Sequence, residues 1–599
     1  MRAWNVAQHV RGHVPGPVRA AYRRVRRLFE RAQTSPDRQS VPSTLVRVAE
    51  RAGIKLNKPN RVFLRELHRY CSKGQPTVAI LVGRQPSRLA DVISEAYLDA
   101  RVRRYHTGVS DSHLHSSMSA DGPFDVIVDD TRRSAGRAAR LRTLFFHVKR
   151  GGVYLVRNVR ADRKPGIPDD NVLRLLSRLI AIKAQGGTRS KGQRQNDARS
   201  LASAIGRVSL ESEHLLLTSR VTALAKMRED EMNKVIGLRD GKAARILQTR
   251  PAIEFESRCV LRENRAVRGV GMYEIYRAPE MSLREYHDVL CSPGQVAIQG
   301  NLLLPDTYRH NARRRLINRY TEELSPRFAK PLGDVSQAES LPGAYFYLDS
   351  TFRGHFGHAM TEQLSRLWAW PDGKRAEPGL KALMAVNKGR ELASWEFALF
   401  RAAGIDPSDI VFVREPVRVE RLLSATPMLS MPSYVHPDIE ETWGRVGHEL
   451  AALAPDRVYP TKIFCSRRTE KRACHNAVEV ESFYASHGFE VIYPEDYPLP
   501  EQSQIFRRAE VVSGFAGSGL FSLAFCSSPK RVVMISSDSY TATNEYLIAS
   551  VLGHEIDFVT SRADFARPEK GWDKDAYQST FTFDFDREGV YLKDILVSI

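Results

Sequence analysis

Short apolar runs closed by Gly, Asp or Ser recur in two stretches of the chain. Thr77-Val-Ala-Ile-Leu-Val82 is apolar on consecutive positions, as a strand buried on both faces requires, and is followed by Gly83 and a helical pattern to Tyr97. Residues 124–130 predict a second strand ending in Asp129 and Asp130, residues 141–148 a helix, and residues 151–156 a third strand. Strands alternating with helices imply a mostly parallel sheet covered on both faces. Nearer the C-terminus the alternation is more regular. Strands are expected at 462–466, 490–493, 510–513 and 531–535, with helices at 477–487, 501–508 and 520–526 between them. Right-handed crossovers follow, and ligands of such sheets bind beyond the carboxyl ends of the strands. No repeat of 20–50 residues stands out, which argues against a solenoid.

Three constellations sit at such strand ends. Tyr345-Phe-Tyr-Leu-Asp-Ser-Thr-Phe-Arg353-Gly354-His355-Phe356-Gly357-His358 runs from a strand through a turn into a helix. At 100° per residue Phe356, Met360, Leu364 and Leu367 form the buried stripe, while His358, Glu362 and Ser365 share the other face. A histidine aligned by a carboxylate one turn away can act as a general base, because the carboxylate favours the imidazolium formed on taking a proton. The same pair could equally serve local helix stability. A metal reading of His355, His358 and Glu362 falls short of a full ligand set.

Ser513-Gly-Phe-Ala-Gly517-Ser518-Gly519-Leu520 follows a strand and opens a helix, where bare amides and the helix dipole can cradle a phosphate. Tight strand–helix packing yields the same composition. Arg467 and Arg468 lie just past another strand of the same expected sheet, and paired guanidinium groups could clamp a diphosphate. Turn and arginines would converge on one crevice and bind a phosphorylated ligand such as a nucleotide. The Asp573-Lys-Asp575 and Asp584-Phe-Asp586 triplets could hold a metal on such a diphosphate. The period-two pattern at 582–586 instead predicts an edge strand with a polar face.

Charge changes the picture of partners. The 599-residue chain carries 90 Lys and Arg against 69 Asp and Glu, a net of +21. Residues 1–50 (net +7) and 131–200 (net +14) account for the whole +21, so the remaining residues, the site-bearing half among them, sum to zero. A nucleic-acid enzyme would carry its positive field over its active domain, so nucleic acid is argued against. Val18, Tyr22, Val25 and Leu28 recur at helical spacing among arginines, a basic amphipathic helix that could touch an anionic membrane or pack on its own domain. Residues 185–197 read as a surface loop. Six cysteines without a C-x-x-C pair argue against a disulfide scaffold and the usual zinc spacings, and fit a reducing cytosol. No apolar run approaches the ~18 residues of a spanning helix, and residues 1–30 lack the hydrophobic centre of a secretion signal.

From about residue 282 to 599 the sequence resembles glycosyltransferase family 61. The resemblance rests on Phe356-Gly357-His358 with Glu362 and Leu364-Ser-Arg-Leu-Trp368, on Lys462-Ile-Phe-Cys-Ser-Arg-Arg468, on Gly488-Phe-Glu-Val-Ile492, on the run from Gln504 through Gly514-Phe-Ala-Gly-Ser-Gly-Leu520, and on Phe525 before Pro529. It implies a two-lobed GT-B fold of Rossmann-like lobes, with the nucleotide-sugar donor in the C-terminal lobe. It also implies inverting transfer to a glycan or protein hydroxyl with no obligatory metal. Many members carry a histidine where this chain has Ala516, which shifts the burden to His358, Arg467 and the Ser518 hydroxyl.

Residues 45–275 resemble class I methyltransferases of the macrocin O-methyltransferase type, through residues 124–130 and Val148-Lys-Arg-Gly-Gly-Val-Tyr-Leu-Val156. The first loop of that family has closely spaced glycines for S-adenosylmethionine. Here it reads Val82-Gly83-Arg84-Gln85-Pro86-Ser87, and Asn158 replaces a later acid. Without those glycines the cofactor cannot sit against backbone, so a scaffold or acceptor-positioning role is expected.

The sequence thus leads to an α/β protein in four parts: a basic segment at 1–44, a degenerate methyltransferase-like domain at 45–275, an acceptor lobe at 276–455 and a donor lobe at 456–599. The expected function is cytoplasmic glycosyl transfer for cell-surface or capsular polysaccharide, with peripheral contact at the inner face of the membrane. His358 and Glu362 would be catalytic, and Arg467, Arg468, Gly517, Ser518 and Gly519 would bind the donor. His355 and Arg353 would assist, with no metal and no cofactor beyond the co-substrate. The alternatives are a bifunctional transferase that also methylates from S-adenosylmethionine, and a non-catalytic glycan- or nucleotide-binding protein.

Overall fold

A computed structural model describes residues 41–84, 87–131, 136–159, 171–184, 197–265, 272–386, 392–468, 470–542, 544–569 and 571–599. The basic N-terminal helix, Gln85 and Pro86 of the first loop, and all but the last residue of the 185–197 loop lie outside them. The chain divides into two compact units. The first comprises 1–240 with 300–305 and 315–333; the second comprises 241–299, 306–314 and 334–599. The boundary therefore falls near residue 240, and residues 241–275 belong with the second unit.

The first unit is built on a six-stranded sheet ordered Arg101–His106, Thr77–Val82, Phe124–Asp129, Val148–Val156, His214–Ser219 and Ile205–Glu211. The first four strands pair in parallel and the last two join antiparallel. Val78, Ile80, Val82, Val126, Val128, Val153 and Leu155 alternate toward one face and pack on Leu64, Leu67, Val92 and Ile93 of flanking helices. Each such side chain contributes about 1.5–3 kcal/mol by leaving water. At the carboxyl end of this sheet the two acids are already paired. Asp129 is fully buried and accepts from Thr131 N at 3.1 Å and Arg140 Nε at 3.1 Å, and Asp130 pairs with Arg157 at 2.6 Å and accepts from Ser87.

His115 and His147 are buried with ring centroids 5.2 Å apart, and Phe328 lies edge-on to both. Burial, then the Arg327 charge, pushes His115 down to about 3 from the ordinary 6.5. Burial also drives His147 well below its ordinary value, with His115 and Arg327 adding to it. Both rings are thus neutral in the folded state, whereas an unfolded chain takes up protons below pH 6.5. Stability is fully present above pH 6.5 and is lost as pH falls, by about 2 kcal/mol for His115 at pH 5, with His147 acting in the same direction. Calorimetric melting of the full chain should drop between pH 7 and 5, and His115→Leu should flatten that slope. An unchanged slope would show that the pair does not carry the effect.

The second unit holds two sheets over one continuous core. In the mixed sheet, Val417–Ala425, Glu339–Tyr347, Lys381–Ala385 and Ile410–Val413 run parallel, and Met281–Ser292 joins Val417–Ala425 antiparallel. The other sheet is wholly parallel, ordered Val260–Glu263, Glu555–Ser561, Arg531–Ser537, Val511–Phe515, Lys462–Cys465 and Glu490–Ile492. Four of its strands, Lys462–Cys465, Glu490–Ile492, Val511–Phe515 and Arg531–Ser537, fall where the apolar runs predict them, and Glu555–Ser561 is an additional strand not expected from the sequence. The edge strand Val260–Glu263 comes from the segment grouped by sequence with the first domain. Phe346, Met360, Leu364, Trp370, Leu399, Val512, Leu520, Phe525, Val532 and Phe558 all belong to the shared core, which fixes the two sheets against each other. Two expected elements differ. Residues 518–525 form a 3-10 helix rather than an α-helix. Residues 582–586 are not an edge strand: Phe581 and Phe583 are buried, and Asp584 accepts from Asp586 N and Arg587 N at 3.1 Å each. Among the described residues, no helix is long and apolar enough to cross a membrane.

Candidate active site

The strand Glu339–Tyr347 ends in an irregular stretch that delivers His358 past its carboxyl end. The helix expected there is not a regular α-helix. One turn at Phe356–His358 passes into a π turn at Ala359–Gln363 and then a 3-10 turn at Leu364–Arg366. π turns inside helices concentrate at functional sites. His358 and Glu362 nevertheless meet: Nδ1 lies 2.7 Å from Glu362 Oε1. The Arg309 guanidinium donates to the same carboxylate and Ser350 Oγ donates to Oε2 at 3.0 Å. Burial disfavours the Glu362 charge, but the His358 hydrogen bond and the Arg309 charge outweigh it and hold the carboxyl at about 2.

A carboxylate on Nδ1 fixes that nitrogen as the donor and leaves Nε2 to accept a proton. The imidazole is held further by Phe352, stacked at 4.7 Å and 17°, and by His355, edge-on at 4.8 Å. Burial first, then the charges of His358, Arg309 and Arg472, draw His355 down to about 4, so it stays neutral beside His358. Arg309 and Phe352 were not legible as site residues in the sequence. The Arg309 guanidinium also lies 5.1 Å over the Phe352 ring.

The helix start at Gly357 packs on the glycine-rich turn. A Cβ at Gly357 would lie 3.1 Å from Ser518 Cβ and 3.3 Å from Phe521, so the position admits only glycine without displacement. His358 and the turn are therefore neighbours. The strand Val511–Phe515 leads into Gly517, whose φ of +147° an L side chain rarely adopts, and the 3-10 helix Ser518–Phe525 follows. Of the three amides expected to face a phosphate, that of Gly517 is taken: it donates to the buried Glu545 carboxylate at 2.6 Å. Burial lifts Glu545 to about 7, against the hydrogen bonds from backbone amides and the nearby Arg472. Ser518 and Gly519 open the helix, where no preceding turn supplies their N–H groups with acceptors.

The arginines separate. Arg467 lies at the turn, donating from Nη1 to Ala516 O at 2.9 Å and from Nη2 to Arg472 O, with a buried Nε that finds no acceptor. Burial, then Arg472, lowers it to about 10. Arg468 turns away. It is exposed, lies 4.0 Å over Tyr493 and pairs with Asp496, Nη2 to Oδ2 at 2.7 Å. The second guanidinium at the turn belongs to Arg472, whose Nη2 lies 3.1 Å from where a Gly517 Cβ would stand. Arg353, expected as an auxiliary residue of this site, is buried elsewhere: it donates to Ala385 O, stands 3.9 Å from Glu396 and covers Phe412. Asp573 spends its carboxylate capping a short helix, accepting from Asp575 N and Ala576 N at 2.9 Å each. Among the described residues no group of three His, Cys, Asp or Glu side chains could hold a metal.

No curated protein matches the chain. Among solved structures, the MycE methyltransferase from the mycinamycin biosynthetic pathway, in complex with Mg, SAH and mycinamycin VI, is 16% identical, with 31% of this chain and 56% of that chain covered and a TM-score of 0.25. A second MycE structure with Mg and SAH is 17% identical over 31% and 55% of the two chains, with a TM-score of 0.25. The chain thus spans about half the length of these proteins. Residues 356–533, which carry His358, Glu362, Arg467 and the Gly517 turn, match the family model of glycosyltransferase 61.

Proposed function

We propose that the second unit is an inverting glycosyltransferase of the two-lobed GT-B kind, moving a sugar from a nucleotide-sugar donor to a glycan hydroxyl. The observation that carries this reading is the packing of Gly357 on Ser518, which sets a carboxylate-aligned histidine beside the glycine-rich turn. His358 Nε2 takes the proton of the acceptor hydroxyl as its oxygen attacks the anomeric carbon. The bond from that carbon to the diphosphate oxygen breaks on the opposite face. Arg467, Arg472 and the amides of Ser518 and Gly519 stabilise the charge on the leaving nucleoside diphosphate. Inversion needs this one base, not the carboxylate pair of a glycosidase.

The product fits cell-surface or capsular polysaccharide, with the enzyme in the cytoplasm and its basic N-terminal part on anionic lipid. The first unit acts as scaffold or acceptor positioner. Its strand-end acids, paired with Arg140 and Arg157, favour this over a second, methyl-transferring activity. A panel of nucleotide sugars, read first by thermal shift and then by nucleoside diphosphate release with glycan acceptors, tests the reading. One sugar nucleotide should raise the melting temperature and turn over; a panel with neither effect would refute it. Calorimetry with S-adenosylmethionine should give no binding heat.

A further inference from the structure

Beyond the anion-binding turn, a line of aromatic contacts leads to the surface. Arg472 lies 5.0 Å from the Tyr540 ring and 5.4 Å from the Tyr577 ring, and the two tyrosines stack at 6.0 Å and 21°. Tyr577 in turn meets Trp572 at 5.9 Å. Trp572 is 66% exposed. Trp572 thus presents most of its flat ring to water beside the partly buried Tyr577 and, behind it, the buried Tyr540, a surface that suits a flat ligand.

Its place in the site decides which ligand. In a nucleotide sugar the reacting carbon is joined to one phosphate and the nucleoside to the other. His358 must face that carbon, and Arg472 and Arg467 face the phosphates at Gly517. A Cβ at Gly357 would lie 3.1 Å from Ser518 Cβ and 3.4 Å from His355 Cε1, so the histidines and the phosphate site are adjacent. The nucleoside then extends from the phosphates away from His358, and the contacts Arg472–Tyr577–Trp572 run outward from that same phosphate site.

We infer that the exposed Trp572 ring stacks on the nucleobase of the donor, so that the segment around Trp572 is the nucleoside end of the crevice. The inference rests on the nucleotide-sugar reading above. Stacking favours any base for its π face, so Trp572 supplies affinity for the nucleoside rather than choice among bases.

Titration calorimetry of the full chain with UDP, GDP, CDP, ADP and inorganic pyrophosphate tests it. Trp572→Ala should weaken the nucleoside diphosphate that the unaltered protein binds by about 5- to 100-fold. Pyrophosphate should bind within two-fold of before, and Trp572→Phe should recover most of the loss. The side chain is exposed, so the melting temperature should not move. Unchanged nucleoside diphosphate affinity in Trp572→Ala, or an equal loss for pyrophosphate, would overturn the inference while the transferase reading stands. If the unaltered protein binds neither any nucleoside diphosphate nor pyrophosphate, the transferase reading falls first and takes this inference with it.

Discussion

His358→Ala should lower the rate of glycosyl transfer by about 10²- to 10⁴-fold, the usual worth of a positioned general base, while nucleoside diphosphate affinity stays within two-fold. The split follows from where the ring's contacts go. Its Nδ1 is spent on Glu362, its face on Phe352 and its edge on His355, and no contact ties it to Arg467 or Arg472. Removing it deletes the proton acceptor and leaves the diphosphate site whole. Glu362→Gln should cost less, about 10- to 100-fold, because the amide keeps a hydrogen-bonding partner for Nδ1 but loses the charge that stabilises an imidazolium. With its carboxyl held at about 2, Glu362 stays ionised throughout the usual assay range and contributes no acid limb of its own there. Rates from product release and affinities from calorimetry check both variants. Full activity in His358→Ala would remove this histidine from the mechanism.

The sequence was most legible where one local rule governs. Val511–Phe515 and Arg531–Ser537 are strands because consecutive apolar residues are buried on both faces of a parallel sheet, and that demand reads directly off the chain. The His358–Glu362 pair survived a wrong helix type because both α and π turns keep residues four apart on neighbouring positions. What failed depended on partners distant in the chain. Arg309 reaches Glu362 from 53 residues away, and no periodicity marks it. Gly517 N–H looks free in its own segment, yet Glu545 arrives from the helix Asn544–Leu552 to take it. Arg353 belongs by sequence to the His358 turn but is drawn into the core by Ala385 O and Glu396. Arg467 and Arg468 are adjacent in sequence and so leave an extended chain in opposite directions, which is why only one of them can face the turn.

That divergence makes a sharp expectation. Arg472→Met should weaken nucleoside diphosphate binding by about 10- to 150-fold, the range of one charge-assisted hydrogen-bonding group on a phosphate. Arg468→Met should change it by less than two-fold. Arg472 stands at Gly517 over two tyrosine rings, and its Cα at φ +57° shows the backbone bent to bring the side chain there. Arg468 satisfies Asp496 at an exposed edge, where such a pair contributes about 0–1 kcal/mol and has no role at the turn. Methionine keeps much of the arginine stem, so packing on Tyr540 and Tyr577 is largely retained and the loss reports charge. Calorimetry with the bound nucleoside diphosphate and with pyrophosphate should give parallel losses for Arg472→Met, because the guanidinium addresses phosphate and not base. If Arg468→Met proved the weaker binder of the two, the anion would sit on the Tyr493 side of the sheet, and the base at His358 would face no leaving group.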